Sequence, residues 1–316
     1  MNAAFMASDA VALPAMEVLR SAGLLRCVVS NPDRPKGRGR RLSPNPAAAW
    51  ALENGVPLLR PEETPRAECV EWMASFGVDC VIVMAYGRIL RREILDFPKL
   101  GCLNLHGSLL PSLRGASPIE TALALGMEKT GVTLMRIAPK MDAGDVCGTV
   151  ETPVAPRETG ASLRVKIARA AADLLSGSLG GISSASLRFE PQDESLATYS
   201  RKLSKDDARL DFSMSAPELD RRMRAFGGGI AKTGGEEIRI GEAFAEPSRA
   251  PGVPGEIISA DSGGVRISCG DGVLRAVSLQ APCARMLPAG QFLNGRPLSP
   301  GQIFESFKNS PLLRTP

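Results

Sequence analysis

Short apolar runs rich in β-branched residues recur along the first half of the chain, at Ala3–Met6, Arg26–Ser30, Asp79–Ala85, Cys102–Leu105, Val132–Ile137 and Val146–Glu151. Helical punctuation fills the intervals. Asn45 followed by Pro46, with Gly55 beyond, predicts one capped helix, and Thr64, Pro65 and Gly77 repeat the arrangement. Ser117-Pro118-Ile119-Glu120 has the form of a capping box, closed by Gly126, and a last long helix is expected over about Ala161–Leu175, ending at Gly177. Strands alternating with helices predict βαβ units, and therefore an α/β domain on a parallel sheet.

After Gly177 the pattern dissolves into Ser-Gly-Ser, Ser-Ser-Ala-Ser and Pro-Gln-Asp-Glu-Ser. A linker over residues 189–206 is expected, dividing a first domain of residues 1–188 from a second of residues 207–316. One helix remains there, Ser215–Phe226, with a Ser-x-x-Glu box through Glu218. Short strands follow at Glu237–Ala243, Gly255–Ala260, Val265–Cys269 and Val273–Leu279, separated by Gly, Pro and Asp. That spacing predicts a small β-barrel.

Composition narrows the class. With 316 residues, 44% hydrophobic and 23% charged, the chain is of ordinary globular type. No apolar run approaches the ~18 to 20 residues of a bilayer span, and Met1–Leu19 lacks a basic then apolar leader. Neither membrane nor export is expected, and the cytoplasm is. The seven cysteines are spread widely and accompanied by a single histidine. A zinc knuckle, a C-x-x-C pair and a disulfide framework are thereby excluded, leaving reduced thiols and no metal.

Charge is informative once located. Between Asn31 and Ser43 stand Arg34, Lys36, Arg38, Arg40 and Arg41 against Asp33 alone, so this segment holds +4, the net charge of the whole chain. Its prolines and glycines forbid a regular helix and predict a projecting cationic loop. Such a loop suits a polyphosphate backbone, and equally a plain solvated surface.

Parallel sheets bind ligands beyond the carboxyl ends of their strands. Gly101–Gly107 is a strand whose end carries Asn104 and His106, two apart and so on one side of the pleat. The next strand runs into Ala-Pro-Lys-Met-Asp-Ala-Gly-Asp, and if the two strands are neighbours Asp142 approaches His106 as a base-and-orienter pair; by default such an aspartate is only a turn former. No G-x-G-x-x-G follows the first strand and no P-loop occurs anywhere.

The run Asn104-Leu105-His106-Gly107-Ser108-Leu109-Leu110-Pro111-Ser112-Leu113-Arg114-Gly115-Ala116-Ser117-Pro118-Ile119 resembles the signature of the folate-dependent formyltransferases. Met141-Asp142-Ala143-Gly144-Asp145 resembles their second motif, with Asp142 36 positions after His106. Over nearly its full length the chain is similar to the branch that formylates methionyl-tRNA. Pro32–Arg41 resembles that branch's basic insertion loop, and Arg201–Asp211 its passage into the C-terminal domain.

The resemblance implies a Rossmann-like parallel-sheet formyltransferase domain followed by a small OB-like β-barrel. It implies 10-formyltetrahydrofolate as co-substrate, the acceptor stem of initiator methionyl-tRNA as partner, and neither metal nor membrane; a monomer is expected. Asn104, His106 and Asp142 would be catalytic. The folate would lie along Ser108, Leu109, Leu110 and Pro111, its pterin against main-chain groups of Met84, Tyr86, Gly87 and Ile89 and of the Ala138–Asp142 loop. Arg34, Lys36, Arg38, Arg40 and Arg41 would meet tRNA, with Arg38 at the top of the acceptor stem. The chain departs from the family pattern twice. Phe5–Asp9 lacks a glycine, and Phe226-Gly227-Gly228-Gly229-Ile230 stands where an aromatic element is usual, which predicts a more mobile loop. Two other readings compete: a formyltransferase for a small amine, which would not need the +4 segment, and an RNA-binding module with an inactive core, which the intact Asn104, His106 and Asp142 oppose.

Overall fold

A computed structural model describes residues 1–36, 39, 41–64, 66–248 and 252–314. The first half lays down β1 (Ala3–Met6), α1 (Leu13–Ser21), β2 (Leu25–Val29), β3 (Arg34–Lys36), β4 (Arg41–Ser43), α2 (Pro46–Glu53), β5 (Leu58–Leu59) and α3 (Ala67–Ser75). It continues with β6 (Cys80–Val83), α4 (Arg92–Leu95), β7 (Cys102–His106), β8 (Arg114–Gly115), α5 (Pro118–Ala124), β9 (Lys129–Arg136), β10 (Val146–Pro153) and α6 (Gly160–Ser183). Seven strands form one sheet in the order β10-β9-β7-β6-β1-β2-β5. β1 shows why it is central: Ala3 and Phe5 face a core shared with α1 and α6, while Ala4 and Met6 face a second core shared with α3. A strand apolar on both faces needs helices on both.

The sheet is parallel from β5 to β7, but β9 runs antiparallel to β7, and β10 to β9. β10 runs antiparallel to β9 because residues 137–145 between them form only a loop, and a parallel neighbour needs a crossover of a dozen or more residues; the parallel expectation also fails at β9, which pairs antiparallel to β7. Two helix boundaries and one cap also differ. α6 does not stop at Gly177 but continues to Ser183, because Ile182 is buried and Gly181 lies against Leu187; packing there outweighs the ~1 kcal/mol helix penalty of a glycine. α3 starts after Arg66 rather than at Thr64; ahead of it Arg88 donates to the carbonyls of Pro61, Glu62 and Glu63 and fixes the loop. Ser117 does not form its box, since Glu120 is drawn to Arg164 at 2.7 Å and the Ser117 hydroxyl accepts from Leu203 N. Asn45 caps α2 as expected, accepting from Ala48 N.

The second half contains β11 (Tyr199–Ser200), α7 (Ala216–Phe226), β12 (Gly229–Thr233), β13 (Glu236–Ile240), β14 (Ala243–Glu246), β15 (Ile257–Asp261) and β16 (Gly264–Ser268). β17 (Val273–Ala276), β18 (Ser278–Gln280), β19 (Leu287–Pro288), α8 (Ala289–Gly295) and β20 (Leu313–Arg314) complete it. Two four-stranded antiparallel sheets, β12-β13-β18-β19 and β14-β17-β16-β15, share one core with α7 and α8. The single-helix expectation missed α8, a short segment whose apolar signal is little more than Phe292 and Leu293. The expected mobile loop after α7 is also absent. Gly227 takes a left-handed cap (φ 74°), Gly228 N donates to Met223 O at 2.7 Å, and Gly229 opens β12. Glycines stand here because the helix must be capped and turned directly into a strand.

Candidate active site

A cleft of about 510 Å³ opens at the ends of β6 and β7, lined among others by Val83–Leu90, Asn104–Gly107, Gly115–Glu120 and the residue 137–142 loop. The pairing of β7 with β9 sets Asn104 opposite Met135 and His106 opposite Thr133. The loop that follows β9 brings Asp142 Oδ2 to 3.7 Å from His106 Nδ1, so the two catalytic candidates do meet. His106 is 6% exposed, and its Nε2 lies 3.0 Å from Leu113 O. A carbonyl can only accept, so Nε2 carries the ring proton and Nδ1, toward Asp142, is the position left open. Asp142 Oδ2 accepts from Gly115 N at 2.8 Å.

The backbone around the cleft is strained. Ala85 (φ 48°), Leu113 (φ 58°) and Asp142 (φ 49°) all occupy the left-handed region without being glycine. Gly144 shows the closeness of the loop: a Cβ there would lie 1.9 Å from Arg136 O.

Met84, Tyr86, Gly87 and Ile89 line the cleft, with Ile89 largely exposed at its lip. Tyr86 O accepts from Asn31 Nδ2 at 2.6 Å, and burial pushes the Tyr86 phenol up. Ser108, Leu109, Leu110 and Pro111 are not among the lining residues. Thr133 draws that turn under the sheet, donating to Ser108 O at 2.7 Å and accepting from Leu110 N at 3.0 Å, while Leu109 covers Gly131.

Several cleft residues were missed in the sequence. Arg164 on α6 reaches Asp9 and Glu120 at 2.5 and 2.7 Å, and all three line the cleft. Arg114, next to the lining residue Gly115 but outside the cleft wall, is fully buried and was likewise missed. Their contacts span long sequence separations and no local pattern announces them, although a buried arginine inside the Asn104–Ile119 signature was a signal available to be weighed. Burial pushes the thiols of Cys27, Cys80, Cys102 and Cys269 up to about 12 and those of Cys69 and Cys147 to about 11, and no cysteine lines the cleft. Among the described residues no cluster of metal-ligating side chains occurs.

Within the cationic segment β3 and β4 pair antiparallel, with Arg34 opposite Ser43 and Lys36 opposite Arg41. Arg34 and Arg41 are exposed. Arg38 and Arg40 lie outside the described residues, as does the Lys36 side chain. The hairpin's base is fixed: Asp33 pairs with Arg60 at 2.6 Å, and Asn45 Nδ2 donates to Asn31 O at 2.9 Å.

A family model described as formyl transferase matches residues 8–179, and one described as formyl transferase, C-terminal domain matches residues 202–297. The chain is 38% identical over 283 residues to a methionyl-tRNA formyltransferase of Pseudoalteromonas translucida, spanning 87% of this chain and 88% of that one. It is 37% identical over 308 residues to one of Marinobacter nauticus, spanning 96% and 99%. Among solved structures, HypX from Aquifex aeolicus in complex with tetrahydrofolic acid matches with a TM-score of 0.60 at 18% identity, over 93% of this chain and 47% of that one. An N-formyltransferase from Helicobacter canadensis, in complex with folinic acid and dTDP-3-aminofucose, matches with a TM-score of 0.63 at 14% identity, over 87% and 99%. At these identities the two structures establish a shared fold and nothing finer.

Proposed function

The chain belongs to the formyl transferase family, among its methionyl-tRNA formyltransferases, and on that premise we propose how its cleft and hairpin divide the work. The enzyme transfers a formyl group to the α-amine of methionyl-tRNA. The donor is 10-formyltetrahydrofolate, which supplies the formyl carbon on N10. The cleft fits such a donor: its Met84–Ile89 wall offers main-chain donors and acceptors to a flat heterocycle, and Val83, Met135 and Ile137 give apolar faces.

The reaction is acyl transfer from one nitrogen to another. The bond from the amine nitrogen to the formyl carbon forms, and the bond from that carbon to N10 breaks. Asn104 donates its side-chain N–H to the formyl oxygen as that oxygen gains charge. His106 takes the proton leaving the amine at Nδ1, because Nε2 is already committed to Leu113 O, and returns it to N10. Asp142 faces the resulting imidazolium across 3.7 Å and stabilises it. No nucleophilic side chain is required. The tRNA acceptor stem would meet Arg34, Lys36, Arg38, Arg40 and Arg41, whose phosphate contacts position it while base contacts select it.

The reading is carried by the meeting of His106 Nδ1 and Asp142 on the cleft wall beside Asn104. Its test is transfer of labelled formyl from formyl-tetrahydrofolate to initiator methionyl-tRNA, elongator methionyl-tRNA and a nucleotide-linked amino sugar. Label on the tRNA, with preference for the initiator, is expected. Label on the sugar alone would overturn the proposed acceptor.

A further inference from the structure

The chain between the domains carries more hydrogen bonds to the catalytic loops than a tether needs. Gln192 Nε2 donates to Asp142 O at 2.9 Å and to Gly144 O at 2.7 Å, holding both sides of the strained turn. Gln192 Oε1 in turn accepts from Arg114 Nε at 3.1 Å and Nη2 at 2.8 Å. The remaining donors of that buried guanidinium go to Tyr199 OH and Glu194, at 3.0 and 3.1 Å. Lys140, in the same loop as Asp142, meets Glu194 at 2.5 Å. Arg114 also sits between the two groups that hold the acid–base pair, since Leu113 O binds His106 and Gly115 N binds Asp142. Its main chain is locked to the connector by Arg114 N donating to Thr198 O at 2.8 Å and by pairing of β8 with β11.

We propose that Gln192 and Arg114 are positioning residues: through them the connector sets the placement of Asp142 against His106. The proposal rests on the roles given to those two side chains. A left-handed aspartate on a loop relaxes readily unless its carbonyls are held, and Gln192 is the only side chain among the described residues that donates to both Asp142 O and Gly144 O. Because the same connector leads into α7 and the C-terminal domain, the catalytic carboxylate is tied to the part of the chain that joins the two domains.

The test is a double-mutant cycle in the full-length enzyme. Gln192→Glu keeps the length and the acceptor atoms for Arg114 but has no donor for the loop. It should lower kcat about 10-fold, with both KM values within about two-fold, and in an Asp142→Asn background the same change should cost less than about two-fold. Gln192→Met repeats the test with similar reach and no charge, so a folding failure of one variant leaves the other to decide. Equal slowing in both backgrounds, or a raised KM with kcat kept, overturns the positioning role. Full kcat in Asp142→Asn alone would refute the catalytic assignment instead, which separates the two failures.

Discussion

The cleft around His106 and the cationic hairpin of β3 and β4 are built on opposite plans. In the cleft His106 and Asp142 are each held by a main-chain group of another segment, Leu113 O and Gly115 N, and three non-glycine residues are kept left-handed at a cost of about 1 to 3 kcal/mol each. In the hairpin the arginines that the structure describes, Arg34 and Arg41, are exposed, Leu42 is 71% exposed, and the base is fixed by Asp33–Arg60 and by the Asn31–Asn45 contact. The difference follows from the physics each task demands. Proton transfer falls off with fractions of an ångström, so its groups are worth holding in strain. Attraction to a phosphate backbone, the task proposed for the hairpin, depends on charge and is tolerant of geometry, so its arginines need no such holding.

Substitutions in the two regions should therefore fail differently. The largest effect is expected for His106→Ala and Asp142→Asn, which should lower kcat by about 100-fold or more while tRNA affinity, measured by filter binding, stays put. A loss of tRNA binding with kcat preserved would erase the contrast. A smaller effect belongs to the hairpin. Arg34→Ala with Arg41→Ala should weaken tRNA binding and flatten the log K against log salt plot by about 0.7 to 0.9 for each phosphate no longer neutralised, leaving folate affinity alone. Collapse of folate binding would instead make the hairpin part of the pocket.

The smallest effect concerns the connector. Hydrogen bonds from Arg114 and Lys140 hold the Glu194 carboxyl down at about 2, below its ordinary 4.5. A carboxyl depressed in the folded state stabilises above its unfolded value, and that contribution fades as pH falls through the folded value. The Tm difference between the natural chain and Glu194→Gln should accordingly be present at pH 5 and above and close as pH falls from about 4.5 toward 2. A difference that widens on acidification would contradict the pairing.

What could be read in advance follows the range of the interactions. β1, β7 and the caps of α2 and α7 were legible because strand and cap signals are local. Asn104, His106 and Asp142 were legible because a strand end and a following Gly-containing loop bear them. The antiparallel pairing of β10 with β9 could have been read from the shortness of residues 137–145, which cannot hold a crossover. The connector could not. Pro-Gln-Asp-Glu-Ser is polar and irregular because its partners are Arg114, Lys140 and the carbonyls of Asp142 and Gly144, all about fifty or more positions away, and such a strap is indistinguishable from a linker until it is folded. The same distance hid Arg164, whose carboxylates stand on the turn after β1 and on α5.

The central claim is that His106 presents an open Nδ1 to the reacting groups while Nε2–H is held by Leu113 O. His106 is the sole histidine of the chain, so ¹⁵N-histidine labelling yields one imidazole and one unambiguous NMR spectrum. At a pH where the ring is neutral, Nε2 should show the shift of a protonated, pyrrole-type nitrogen and Nδ1 that of an unprotonated, pyridine-type one. The reverse assignment, with the proton on Nδ1, would contradict the mechanism outright.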